Sequence, residues 1–99
     1  MKILLVDDHI VVREGVRRLL SAIDGAELLE ASTGTEALEL CRSERPELVL
    51  LDLNLTGIGG LELLRRLIEE DEKLRVVVFS MHAEPIYAAR ALRLGARGY

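Results

Sequence analysis

Three short aliphatic runs, each halted by a polar side chain, constrain the fold of this chain more than any other feature. Ile3-Leu4-Leu5-Val6 stops at Asp7-Asp8, Leu48-Val49-Leu50-Leu51 stops at Asp52, and Val76-Val77-Val78-Phe79 stops at Ser80. Continuous apolar runs of this length, without polar alternation, suit strands buried on both faces, as in a parallel sheet covered by helices. Ala26-Glu27-Leu28-Leu29-Glu30-Ala31 is more polar, as an edge strand would be.

Between these runs the apolar spacing turns helical. Val12, Val16, Leu19, Leu20 and Ile23 recur at three- and four-residue intervals and predict a helix from His9 to Ile23, stopped by Gly25. Thr33-Gly34-Thr35-Glu36 reads as a capping box that opens a helix through Cys41. Leu61, Leu64, Leu67 and Ile68 line a third helix after Gly60, and a fourth runs from Pro85 to Leu94 with Gly95 as its stop. The order is βαβαβαβα. Right-handed crossovers wind it into a doubly wound α/β parallel sheet with helices on both faces. In that architecture ligands bind at the carboxyl ends of the strands, where Asp7, Asp8, Asp52 and Ser80 all stand.

Size and composition agree with one domain. Ninety-nine residues, 49% hydrophobic but with one Phe and no Trp, must build an aliphatic core. A single cysteine, Cys41, excludes an internal disulfide. The first apolar run is too short for a signal peptide and no segment approaches 18 apolar residues, so the expectation is a soluble cytoplasmic protein with no membrane partner. Residues 1–72 carry 8 Lys/Arg against 16 Asp/Glu, whereas residues 73–99 carry 5 basic groups against Glu84 alone. The acidic part disfavours direct nucleic-acid binding, and the basic end is too scattered for a DNA-binding patch.

Three carboxylates at one sheet edge repel one another and cannot all stay ionised without a cation. Oxygen-only ligands match Mg²⁺, or Mn²⁺, which keep several waters and bind through one or two carboxylates plus phosphate oxygens. Asp52 is the nucleophile candidate: an apolar strand fixes it, the loop from Leu53 to Gly57 can expose it, and a carboxylate can attack phosphorus. The Ser80 hydroxyl could bond a phosphate oxygen. His9 and His82 read as solvated loop histidines, since the site is oxygen-rich, and Cys41 reads as core. Gly57-Ile58-Gly59-Gly60 fits neither a dinucleotide fingerprint nor a P-loop, and reads as the turn into the third helix.

Asp7-Asp8 after the first strand, Asp52 after the third, Gly57 and Gly60 in the next loop and Ser80 after the fourth resemble the receiver domain of two-component response regulators. Val6-Asp7-Asp8-His9, the run from Leu50 to Leu55 and the ending Gly95-Ala96-Arg97-Gly98-Tyr99 resemble the subgroup that carries a LuxR/NarL-type helix-turn-helix output. The resemblance covers residues 1–99 and implies a flavodoxin-like sheet of order 2-1-3-4. It implies Asp52 as phosphoacceptor, Asp7, Asp8, Asp52 and the Asn54 backbone carbonyl as the Mg²⁺ site, and Ser80 and Tyr99 as switch residues. It further implies a sensor histidine kinase as phosphodonor and a DNA-binding transcriptional output, of which this chain holds no residue.

Two positions depart from that pattern. Thr56 stands where the family usually has Pro, and the family's phosphate-binding Lys would fall shortly after Tyr99. Lys2 cannot replace it, lying roughly 15–20 Å away at about 3.3 Å per strand residue. The fifth βα unit is expected to be missing, which makes the chain a receiver truncated at its C-terminus. Self-association is then expected, as a homodimer through the fourth-strand edge or the uncovered neighbouring helix. A truncated or degenerate receiver acting only as an interaction module is the alternative. Asp52-Leu53-Asn54-Leu55-Thr56 also resembles the DxDxT motif of haloacid-dehalogenase-like phosphatases. Asn54 replaces the second Asp, however, so the expectation is a phosphoacceptor that is not an enzyme.

Overall fold

The computed structural model describes residues 1–53, 59–79 and 85–98, and of residues 85–87 the backbone alone. The elements are β1 (Lys2–Val6), α1 (Ile10–Ser21), β2 (Glu27–Ala31), α2 (Gly34–Glu44), β3 (Leu48–Asp52), α3 (Gly60–Glu70), β4 (Arg75–Phe79) and α4 (Pro85–Leu94). All strand pairs are parallel, in the order β2-β1-β3-β4. The doubly wound flavodoxin-like expectation holds, and the strands coincide with the aliphatic runs to within a residue.

Local chemistry accounts for the helix boundaries. Thr33 caps α2, its Oγ1 accepting from the Glu36 backbone N–H at 3.1 Å, while the Glu36 carboxylate accepts from the Ser32 hydroxyl at 2.8 Å. That bond holds the Glu36 carboxyl below its usual range. α2 runs on past the predicted Cys41 to Glu44 and ends on Arg45 in the left-handed region. Gly95 stops α4 at φ 114°, a conformation that side-chain-bearing residues avoid.

The sheet order also fixes which face each helix covers. From β1 to β2 the chain moves one way along the sheet, and from β2 to β3 and on to β4 it moves the other. Right-handed crossovers therefore place α1 on one face and α2 and α3 on the opposite one. α2 packs on β1 and β2, and α3 packs on β3, α2 and α4. On that side Leu4, Val6, Val49, Leu51, Val76 and Val78 are fully buried against Leu63, Leu64 and Leu67 of α3. Each such leucine contributes roughly 1.5–3 kcal/mol by leaving water. Leu63 was not among the predicted core positions; Leu61 and Ile68, which were, lie half-buried at its flanks.

The α1 face differs from expectation. Ile3 and Leu5 of the central strand are buried there, but Leu48, Leu50 and Val77 are only half-buried, and α1 has no buried residue. Val12, Val16 and Leu20 are half-buried and Leu19 and Ile23 exposed, so the predicted apolar stripe meets the sheet only in part. Ion pairs help to hold α1 to β2: Arg17 bonds Glu30 at 2.7 Å, and Arg13 lies 3.5 Å from the same carboxylate.

The β4 edge is also less open than expected. Arg97 N–H donates to the Val76 carbonyl at 2.7 Å and Val78 N–H donates to the Gly98 carbonyl at 2.9 Å. Residues 97–98 thus lie parallel against β4 through a Val77–Gly98 bridge.

One glycine is required by close approach. A Cβ on Gly60 would lie 2.6 Å from Leu53 Cα and 2.7 Å from Leu53 O, whereas one on Gly59 would meet nothing within 4 Å. We expect Gly60→Ala to lower the unfolding free energy by about 1–3 kcal/mol through overpacking against backbone, with Gly59→Ala nearly neutral. Urea denaturation of the two variants checks this, and equal effects would refute it.

Candidate functional site

The site begins with the sheet register. β1 pairs with β3 so that Val6 lies beside Leu51, and the next residues along, Asp7 and Asp52, leave the sheet side by side. Each is pinned by the ladder on its outer flank. Asp7 N–H donates to the Ala31 carbonyl at 3.0 Å, Asp52 is in register with Phe79, and Leu53 N–H donates to the Phe79 carbonyl at 3.2 Å. The contact between Gly60 and Leu53 then brings the start of α3 down behind Asp52.

Among the described residues, Asp7 and Asp52 are the buried polar side chains, 0% and 2% exposed. Burying one charge without a partner is costly, and burying two side by side adds repulsion. Asp8, half-buried, completes the predicted carboxylate triad. One ligand atom from each of Asp7, Asp8, His9 and Asp52 lies within 4.8 Å of all the others.

His9 is the residue that sequence reasoning misjudged. Instead of standing off in solvent, it begins α1 with extended backbone, and its N–H donates to Asp7 Oδ1 at 2.8 Å. That turn brings the ring back over the acids. Nδ1 lies 2.9 Å from Asp7 Oδ1, 3.1 Å from Asp8 Oδ1 and 3.4 Å from Asp52 Oδ2. The hydrogen bond to Asp7, aided by the surrounding carboxylate charges, raises the imidazole above its usual pKa. The available signal was position: His9 directly follows the Asp pair where a strand must turn into a helix.

A divalent cation fits the oxygen set on one further observation. Asp7 Oδ2 is completely buried and has no hydrogen-bond partner among the described residues. A lone pair sealed in this way calls for a hydrogen-bond donor or a cation beside it. The other predicted site residues, Asn54, Ser80 and Tyr99, and with them Thr56, Gly57 and His82, lie outside the described residues. Lys2 is at the far end of β1, its Nζ bonded to the Glu44 carboxylate at 2.8 Å, as its position predicted. Cys41 packs half-buried against the core, its thiol pushed up to about 11 by burial, which makes it a poor nucleophile. No helix among the described residues is long and apolar enough to cross a membrane.

Comparison with known proteins gives these features a family. The response regulator receiver domain model matches residues 3–99. The response regulator UvrY of Escherichia coli K12 is 38% identical over 100 residues, covering 100% of this chain and 46% of that protein. The chain thus spans about half the length of the curated relatives it matches. A LuxR-family two-component response regulator from Aurantimonas sp. SI85-9A1 superposes with a TM-score of 0.92 at 41% identity, over 99% of this chain and 71% of that one. A response regulator from Burkholderia pseudomallei, crystallised with a phosphorylated aspartic acid, a calcium ion and citrate, gives a TM-score of 0.90 at 30% identity over 99% and 57% of the two chains. This chain belongs to the response regulator receiver domain family.

Proposed function

We propose that this domain is a phosphoacceptor of two-component signalling in which Asp52 takes a phosphoryl group from the phosphohistidine of a sensor kinase. The observation that carries the reading is the burial of Asp7 and Asp52 side by side, with Asp8 at 4.8 Å or less and an Asp7 oxygen that has no hydrogen-bond partner among the described residues. Support comes also from the Burkholderia pseudomallei relative, which carries its phosphoryl group on an aspartate and holds a divalent cation.

Asp7, Asp8 and Asp52, with the Asn54 backbone carbonyl, are the residues that would hold Mg²⁺, or Mn²⁺. A cation bound there would offset the carboxylate charge and that of the incoming phosphoryl oxygens. In the transfer, an Asp52 oxygen forms the new O–P bond as the donor's N–P bond breaks, and the histidine nitrogen recovers its electron pair. The strand register holds the Asp52 carboxylate in place for attack on the donor. Ser80 and Tyr99 are proposed as the residues that read the phosphorylated state, and a DNA-binding output as the element they control. The domain accepts and loses one phosphoryl group and does not turn over phosphate esters.

A small phosphodonor tests this directly. With acetyl phosphate and Mg²⁺, intact-mass measurement is expected to show a species carrying one phosphoryl group per chain, none after chelation and none in Asp52→Asn. Label that persists in Asp52→Asn would contradict the assignment, and catalytic hydrolysis of phosphate esters would favour the phosphatase reading instead.

A second reading, as an association module, is favoured by one observation. Val11, Leu19 and Ile10 on α1 are 83%, 74% and 73% exposed, and Ile23 just beyond it is also exposed. Since residues 97–98 already engage the β4 edge, α1 is the better candidate for a homodimer face. Sedimentation is expected to show concentration-dependent association, weakened more than tenfold by Leu19→Glu, since roughly 1.5–3 kcal/mol for burying one leucine exceeds the roughly 1.4 kcal/mol of a tenfold change. A monomer at every concentration would dismiss this reading.

A further inference from the structure

We infer that His9 is a fourth ligand of the acidic pocket, and that it makes the pocket a site for an imidazole-binding transition-metal dication of the Zn²⁺, Co²⁺ or Ni²⁺ class as well as for Mg²⁺. The inference rests on the reading of Asp7, Asp8 and Asp52 as a cation pocket, and adds to it a nitrogen donor.

Geometry supplies the first support. A metal with ligand bonds of about 2.0–2.1 Å sets adjacent ligand atoms about 2.9 Å apart at octahedral angles and about 3.4 Å apart at tetrahedral ones. His9 Nδ1 stands 2.9, 3.1 and 3.4 Å from one oxygen of each of the three carboxylates. These separations span both edge lengths, and the four donor atoms lie within 4.8 Å of one another, so one ion can meet the ring nitrogen and the three oxygens together. An ordinary hydrogen bond would need only one acceptor at such a distance.

Chain organisation supplies the second. Three of the four donors come from consecutive residues, Asp7 to His9, held by the end of β1 and the first turn of α1. The His9 backbone is itself bonded to Asp7 Oδ1, so ring and carboxylate are positioned together before any ion arrives. The buried Asp7 Oδ2, without a hydrogen-bond partner among the described residues, is a second observation in keeping with a bound ion here.

Ligand chemistry then decides the class of ion. Carboxylates and water satisfy Mg²⁺, which gains little from imidazole, whereas Zn²⁺, Co²⁺ and Ni²⁺ bind imidazole nitrogen well. Mg²⁺ can occupy the oxygen side and leave the half-exposed His9 ring aside. A transition-metal ion would recruit the ring and compete with Mg²⁺ for the same oxygens.

The test is metal titration of the purified chain and of His9→Ala, with Co²⁺ followed by its visible absorption, and with Zn²⁺ and Mg²⁺ by calorimetry. We expect His9→Ala to weaken Co²⁺ and Zn²⁺ binding tenfold or more while Mg²⁺ affinity stays within about threefold. Retained Mg²⁺ binding shows that the variant is folded. Unchanged Zn²⁺ affinity in His9→Ala would overturn the inference and leave the carboxylate pocket standing. Equal loss of all three ions would also overturn it, making His9 a residue that positions the acids. A wild-type chain that binds none of them would overturn both the inference and the cation reading beneath it.

Discussion

Parallel pairing of β1 with β3 puts Asp7 and Asp52 at the same sheet edge, and the rest of the site depends on that placement. The ladder that aligns Val6 with Leu51 is held by backbone hydrogen bonds and by aliphatic side chains buried on the α2–α3 face, so the carboxylates cannot drift apart to relieve repulsion. Two like charges about 4 Å apart repel by roughly 4 kcal/mol at the effective dielectric of a protein surface. A fold that holds such a pair together is tolerable only with compensating positive charge. The His9 ring lies against both carboxylates, 2.9 Å from Asp7 and 3.4 Å from Asp52, and a divalent cation there would supply positive charge.

The two faces of the sheet divide the labour. On the α2–α3 face the packing is complete, with fully buried valines and leucines from β1, β3 and β4. On the α1 face only the central strand is sealed, and α1 keeps large apolar side chains in water. Rigidity of the site therefore derives from the first face, which fixes the strand ends and, through Gly60, the entry into α3. The second face offers apolar surface, and its helix begins directly after His9, so a partner on the first turn of α1 would lie next to the site.

Much of this was legible in the sequence because the features are local. Apolar runs ended by Asp mark strands, Thr33 and Glu36 mark a helix start, and Gly95 marks a helix end, each through the chemistry of a few neighbouring residues. The gathering of Asp7, Asp8 and Asp52 followed from topology, since parallel strands share one carboxyl edge. What escaped depends on directions and partners that spacing does not encode. His9 turns back over the acids because its own N–H is bonded to Asp7, a detail of the first helical turn. Leu19 and Ile23 have helical core spacing yet remain exposed, because periodicity shows which face is apolar and not whether anything covers it. The backbone of residues 97–98 against β4 carries no hydrophobic signature at all.

If Asp7, Asp8 and Asp52 form a cation pocket, binding of the ion offsets their mutual repulsion and stabilises the fold. The most direct measurement is the unfolding free energy as a function of Mg²⁺, against KCl matched in ionic strength. Specific binding predicts stability rising by about 1.4 kcal/mol per tenfold Mg²⁺ once the concentration exceeds the dissociation constant, beyond any change in KCl. Superimposable Mg²⁺ and KCl curves would mean that screening alone acts on these acids, and would contradict a cation pocket at this sheet edge.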